Sequence, residues 1–366
     1  EEEGLLKRAE EIGAKTEKRW RDLQAGVGKG VIGDVRRVGD ILYIRRADDL
    51  DVTAGGAVTM TARKQAGTNG DIFLGSELDL NLARLNAEGD VRVTTSGDII
   101  DVAPDTNGTV NAQGTILLES AKGSIGANTR ALTVNTAGLV TARAGKDIFI
   151  ASNGNLSAGR INATNHVELT SRFGGILDGF ADTKANLRGV SFQLNAATDI
   201  GAAGNALELL QDPGTGMLRL GARNAFVESE SDLDVERLDV GTGIAQLSLQ
   251  NGSLRFAPKN NETVLTAGTA RITVPGLVTD DKTGTLAIQA DTLELKAGGV
   301  GAVSGAGVEN RLNVNVNTAN LAASGPDAVF RIQETDDATV SSSAADLIRD
   351  IHLGTGNDLT LGLLAA

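Results

Sequence analysis

The chain has 366 residues, 34 Lys and Arg against 47 Asp and Glu for a net charge of −13, no cysteine, and 46 glycines against 5 prolines. The missing thiols exclude a disulfide scaffold and thiolate metal sites, and the acidic balance argues against a polyphosphate partner such as nucleic acid. Aromatics are only 3% of the residues, so a compact core built on large rings is not expected, while no apolar run approaches the roughly 18 residues of a membrane-crossing helix.

Residues 1–38 form the first unit. Leu5, Ala9, Ile12, Thr16, Trp20 and Leu23 recur at steps of 4, 3, 4, 4 and 3, one stripe of a helix. Glu1, Glu2 and Glu3 lead while Lys15, Lys18, Arg19 and Arg21 trail, matching the helix dipole at both ends. The pattern predicts an amphipathic helix over residues 4–24, with Gly26 as its C-cap and Gly26–Gly33 as a glycine-rich hinge. Its single apolar stripe suits a cap on the first rung of the repeats that begin near Asp40, or a contact with a neighbouring subunit.

From about Asp40 the period changes to 2. Val91/Val93, Val167/Leu169, Leu247/Leu249, Ile272/Val274 and Leu312/Val314/Val316 alternate within short runs bounded by Gly, Asn, Asp or Ser, the pattern of many short strands with tight corners. Gly39-Asp40-Ile41, Gly70-Asp71-Ile72 and Gly97-Asp98-Ile99 repeat one tripeptide at spacings of 31 and 27, with Gly89-Asp90-Val91 and Lys146-Asp147-Ile148 as relatives. A longer unit recurs too. Ser124-Ile125-Gly126-Ala127 followed by Leu132 returns further along as Asp199-Ile200-Gly201-Ala202 followed by Leu207. A third copy starts at Val300-Gly301-Ala302 and continues through Leu312. Preserved order with variable spacing is the mark of a solenoid with variable loops.

A Greek-key sandwich normally anchors its core on aromatics, and no Trp follows Trp20. A parallel β-helix instead stacks aliphatic side chains rung on rung, and few prolines suit a backbone that donates on every rung. Residues 39–366 are therefore expected to form a right-handed parallel β-helix. Coils of roughly 20–25 residues would give about 14 rungs and a rod on the order of 65 Å long.

The Gly-Asp-Ile openings, the Ser-Ile-Gly-Ala unit and Leu156-Ser157-Ala158-Gly159 resemble large repetitive bacterial exoproteins of the filamentous-haemagglutinin type, over roughly residues 39–340. That resemblance implies a β-helical rod at the cell surface or outside the cell, acting in adhesion and biofilm contact. Neither a signal peptide nor the secretion segment of such proteins is present, which suggests an internal or mature piece of a longer chain. Near the end, Leu353-Gly354-Thr355-Gly356-Asn357-Asp358 resembles one turn of a calcium-binding β-roll, with Leu353 in place of the first glycine. One imperfect turn cannot supply the two facing turns that hold the ion, so no cofactor is expected; Asp358 is where calcium would be sought.

No catalytic, cofactor or metal residue stands out. His166 and His352 are the two histidines; neither lies in a His-x-x-x-His pair, and no Gly-x-Ser-x-Gly elbow accompanies them, so both are expected at solvent-facing or corner positions. Gly28-Lys29-Gly30-Val31-Ile32-Gly33 follows a helix rather than a strand, the reverse of a dinucleotide loop. A glycan hydrolase or lyase on a β-helix is the rival reading, with Asp48-Asp49, Asp280-Asp281 and Asp336-Asp337 as the candidate carboxylate pairs. Adjacent strand residues face opposite ways, so such pairs act together only at turns. The preferred expectation is a non-enzymatic rod, self-associating or contacting cell-surface glycans or proteins through loops near residues 171–190 and 257–266.

Overall fold

The structure, a computed structural model, describes residues 32–38, 41–46, 50–51 and 56–361, apart from 65–68, 104–106, 260–261, 282–284, 304–308, 326, 343–347 and 355–358. The helix expected over 4–24, the pair Asp48-Asp49 and Asp358 lie outside the described residues. Ile32–Val38 and Ile41–Arg46 form an antiparallel hairpin. From Leu50 onward the strands of the wall pair in parallel with strands one turn away, so the chain winds into a β-solenoid.

Two ladders form its wall. One stacks Ile72–Ser76, Val91–Thr95, Ile116–Ser120, Leu139–Ala144 and Leu156–Ala163. The other stacks Ile148–Ser152, His166–Ser171, Ser191–Ala196 and Leu218–Gly221. There are about 12 turns in all, and they differ in length: Val140 pairs with Ala158 across a short coil, Ile161 with Leu187 across a longer one. The sandwich alternative is thereby excluded.

Period-2 alternation turns every second side chain inward, and stacking places like on like. Ile72, Val91, Ile116, Val140 and Ala158 make one inner row, each 2% exposed or less. The interior is not free of rings, contrary to the expectation from composition. Phe192, Phe256 and Phe330 are among its largest fully buried side chains.

The Gly-Asp-Ile repeat has a stereochemical cause. The Asp98 N–H donates to Oδ1 of Asp79 on the preceding turn (2.8 Å), and Oδ1 of Asp98 accepts from the Ser124 N–H on the next (2.7 Å). A Cβ on Gly97 would lie 2.2 Å from Asp79 Oδ1, and one on Gly123 2.4 Å from Asp98 Oδ1. Each aspartate thus satisfies the corner amide of the next turn and occupies the space that only glycine leaves open there. Ile99 then enters the core. Asp90 repeats the pattern between Asp71 (2.8 Å) and Thr115 (2.7 Å). Corner asparagines stack as an amide ladder, Asn111 donating to Asn86 and Asn135 to Asn111, both at 2.9 Å.

The longer repeat is a chain excursion. At Ile125, Ile200 and Val300 a strand stops, and a glycine with positive φ (Gly126 69°, Gly201 64°, Gly301 71°) donates its N–H to Ile99, Ile176 or Val278 one turn before, each at 2.8 Å. The chain then leaves the wall through a short antiparallel contact, Ala127 with Arg130, Ala202 with Asn205, or Ala302 with Asn310. It rejoins the same ladder at Leu132, Leu207 or Leu312. In all three copies the preceding turn carries an excursion as well, the chain leaving the wall after Asp101, Asp178 or Asp280 and regaining it by Thr109, Asn186 or Ala287. A further one spans 257–264, so the loops expected near 171–190 and 257–266 are both present.

Candidate functional site

The paired excursions bring together residues that are far apart in sequence. Each preceding-turn excursion leaves the wall from an aspartate two residues past a buried aliphatic: Ile99-Ile100-Asp101, Ile176-Leu177-Asp178 and Val278-Thr279-Asp280. It ends at Thr109, Asn186 or Ala287, whose N–H donates to the carbonyl of Thr133, Glu208 or Asn313 on the next turn (2.8, 2.9 and 2.9 Å). Thr133 and Glu208 occupy outward positions on their strands and are nonetheless 3% and 5% exposed, because the excursion lies across them.

In the first copy the buried acid is fully supplied with donors. Asp101 Oδ1 accepts from the Ala103 N–H (2.9 Å) and Arg130 Nε (3.1 Å), and Oδ2 from the Thr109 hydroxyl (2.6 Å) and the Thr133 N–H (3.3 Å). In the third copy Asp280 Oδ2 accepts from the Asn313 amide (3.3 Å). The second copy differs. Asp178 Oδ1 accepts from the Phe180 N–H (2.8 Å) and the Asn186 amide (2.6 Å), while Asp178 Oδ2 and Glu208 Oε2 are buried with no hydrogen-bond partner. A second carboxyl stands where the other copies have a hydroxyl or an amide. Burial, and then the charge of Asp178, pushes the Glu208 carboxyl up to about 7; Glu228 and Asp182 add to the rise.

A basic side chain organises the covering loop. Arg160 donates through Nη1 to the carbonyls of Lys184 (2.8 Å) and Ala185 (3.2 Å), and through Nη2 to both oxygens of Asp182 (2.8 and 2.7 Å). Its guanidinium lies 4.7 Å from the Phe180 ring centroid. The Arg160 hydrogen bonds hold the Asp182 carboxyl below its ordinary range. From the far side Glu230 Oε1 accepts from the Ala185 N–H (2.6 Å) and Gln250 Nε2 donates to the Thr183 carbonyl (3.3 Å).

The other candidates fall elsewhere. Asp280 is buried whereas its neighbour Asp281 pairs outside with Arg255 (2.8 Å), so these two do not act on one bond. The Asp336 N–H donates to Glu334 Oε2 (2.7 Å) within one local turn of the chain. His352 is half-buried in the rung over Arg331. His166 is better partnered than its sequence context suggested: it sits on the outer wall with Nδ1 2.8 Å from Ser191 Oγ on the next turn and Nε2 3.9 Å from Glu168 Oε2. No elbow motif announces this contact, since stacking, not sequence proximity, makes it. Neighbouring strand amides are spent on the ladder, so none is free to stabilise an oxyanion beside Ser191. Among the described residues no group of three or more His, Asp or Glu side chains could hold a metal ion, and no helix is long and apolar enough to cross a membrane.

Set beside known families, curated proteins and solved structures, the chain matches none of them. Its function therefore rests on its own geometry.

Proposed function

We propose that this chain is a structural, adhesive segment of a filamentous-haemagglutinin-like exoprotein: a stiff β-solenoid, wound right-handed as parallel crossovers are, that works at or outside the bacterial cell surface. The observation that carries this reading is the arrangement of the excursions. A regular wall of about 12 turns presents them in stacked groups, first between Asp101 and Thr109 and at residues 126–131, then at 179–186 and 201–206, then between Asp280 and Ala287 and between Gly301 and Leu312. A rod that spends its backbone donors on its own ladders keeps its shape, and the loops are free to vary in contact chemistry. Outward Arg–carboxylate pairs such as Arg188–Asp212 (3.0 Å) and Arg223–Asp199 (3.0 Å) join successive turns and keep the flank charged and soluble.

The partners fitting this reading are cell-surface glycans or proteins, or further copies of the chain. Labelled protein applied to bacterial and host cells, and to immobilised glycans, is expected to bind, with variants in residues 179–186 or 257–264 altering the binding. Incubation with acidic polysaccharides is expected to release neither reducing ends nor unsaturated products; their appearance would replace the adhesive reading by the glycan-active one. Negative-stain images of a dilution series will show filaments at high concentration if copies join, and isolated rods throughout if they do not.

A further inference from the structure

The excursion at residues 179–186 is fastened on both flanks, by Arg160 on one side and by Glu230 and Gln250 on the other. Beneath it lie the two unpartnered oxygens of Asp178 and Glu208. A buried carboxylate oxygen without a donor is costly, and at Glu208 the nearby charge of Asp178 adds to the cost. The remaining groups around them offer no cure. Asp182, Glu228 and Glu230 are acidic; Arg160 is committed to Asp182, and Arg188 to Asp212 (3.0 Å). Lys184 enters through its N–H, which donates to Asp182 (2.9 Å), and its carbonyl, which accepts from Arg160. A divalent ion would require some six oxygen ligands, and two carboxyls do not supply them. One proton does resolve the conflict: carried by Glu208, it removes the buried charge and with it the repulsion from Asp178.

We propose that residues 179–186 form a pH-responsive strap, held shut while the Glu208 carboxyl buried beneath it carries a proton and released when that proton is lost. The first copy, with Thr133 in place of Glu208, is the built-in strap without the switch. The device is independent of what the rod binds.

The sign follows from linkage. The closed strap raises the Glu208 carboxyl from its ordinary 4.5 to about 7, so closure takes up a proton and is favoured fully below the ordinary value. It weakens as pH rises through 7. If opening restores the ordinary value, the open fraction grows about 30-fold between pH 5.5 and 8.5.

Hydrogen exchange with mass spectrometry on the full chain tests this, with rates corrected for the intrinsic pH dependence. The Ala185 and Asn186 amides, which donate to Glu230 and to the Glu208 carbonyl, are expected to lose protection by that factor from pH 5.5 to 8.5, while Thr109 in the first copy holds constant. Glu208→Gln leaves position 208 uncharged at every pH and is expected to keep the strap protected at both pH values; should it fail to fold, Glu208→Thr, the residue type of the first copy, is expected to do the same. An unchanged pH response in a folded variant, or no response in the native chain, overturns the proposal. So does restoration of native protection at pH 8.5 by millimolar calcium alone, which would make the pair a cation site.

Discussion

The first and second excursion pairs are built alike and differ in one decision. Both leave the wall at an aspartate, Asp101 or Asp178, and return on the next turn through a positive-φ glycine, Gly126 or Gly201. In the first the acid meets a hydroxyl, two amide N–H groups and a guanidinium on its two oxygens; in the second one oxygen meets an N–H and the Asn186 amide, the other has no partner, and its charge acts on Glu208. Satisfied, a buried carboxylate locks a loop in place. Confronted with another acid, the same carboxylate makes the loop depend on protons. The fold thus tolerates one frustrated copy because the wall beneath it is held by the aliphatic rows and the ladder.

The comparison breaks most easily at the shared glycines. Gly126→Ala and Gly201→Ala would place a Cβ 2.3 Å and 2.2 Å from the carbonyl oxygens of Phe149 and Phe226, at φ values that L residues rarely adopt. Each is expected to cost about 3 kcal/mol or more in urea unfolding, and a copy that accepted alanine would end the equivalence. Next in size is Asp101→Ala, which strands buried donors and is expected to cost about 3 kcal/mol. Asp178→Ala at pH 8 strands the Phe180 N–H and the Asn186 amide but relieves the repulsion at Glu208, and is expected to cost only about 2 kcal/mol. Equal losses at the two aspartates would show that both are structural in the same way.

Thr133→Glu sharpens the contrast by moving the frustrated carboxyl into the first copy. Burial beside Asp101 raises its folded-state pKa, so its stability is highest in acid and falls as pH rises through neutrality. A loss of about 2 kcal/mol at pH 8, shrinking toward pH 5, is expected from denaturation midpoints at both values. Smallest is the corner device: Asp98→Ala frees the Ser124 N–H and is expected to cost about 1 kcal/mol, with faster exchange confined to that corner.

Much of the wall was legible in the residues. Alternation in runs such as Leu312/Val314/Val316 marked strands whose inward positions are buried, and the Ser-Ile-Gly-Ala unit located two of the excursions that its glycines open. The interior rings at Phe192, Phe256 and Phe330 were not foreseen, because composition gives the number of aromatics and not which face they take. Glu208 was equally hidden. In Leu207-Glu208-Leu209 it reads as an outward, solvated residue, and nothing local says that a loop from the previous turn covers it. The Ser191–His166 contact escaped for the same reason, since its two halves lie on different turns and meet only through stacking.

What the chain determines alone is local and periodic: which residues extend, which side chains face inward, and where glycine lets the backbone turn, because these follow from sterics and from the exchange of water for apolar contact within a few residues. Which turn lies on which, and therefore which acid meets a donor and which meets another acid, is decided by the length of each coil, short from Val140 to Ala158 and longer from Ile161 to Leu187. Coil length sets the register between turns, and register sets Thr133 against Thr109 at the end of one excursion and Glu208 against Asn186 at the end of the other.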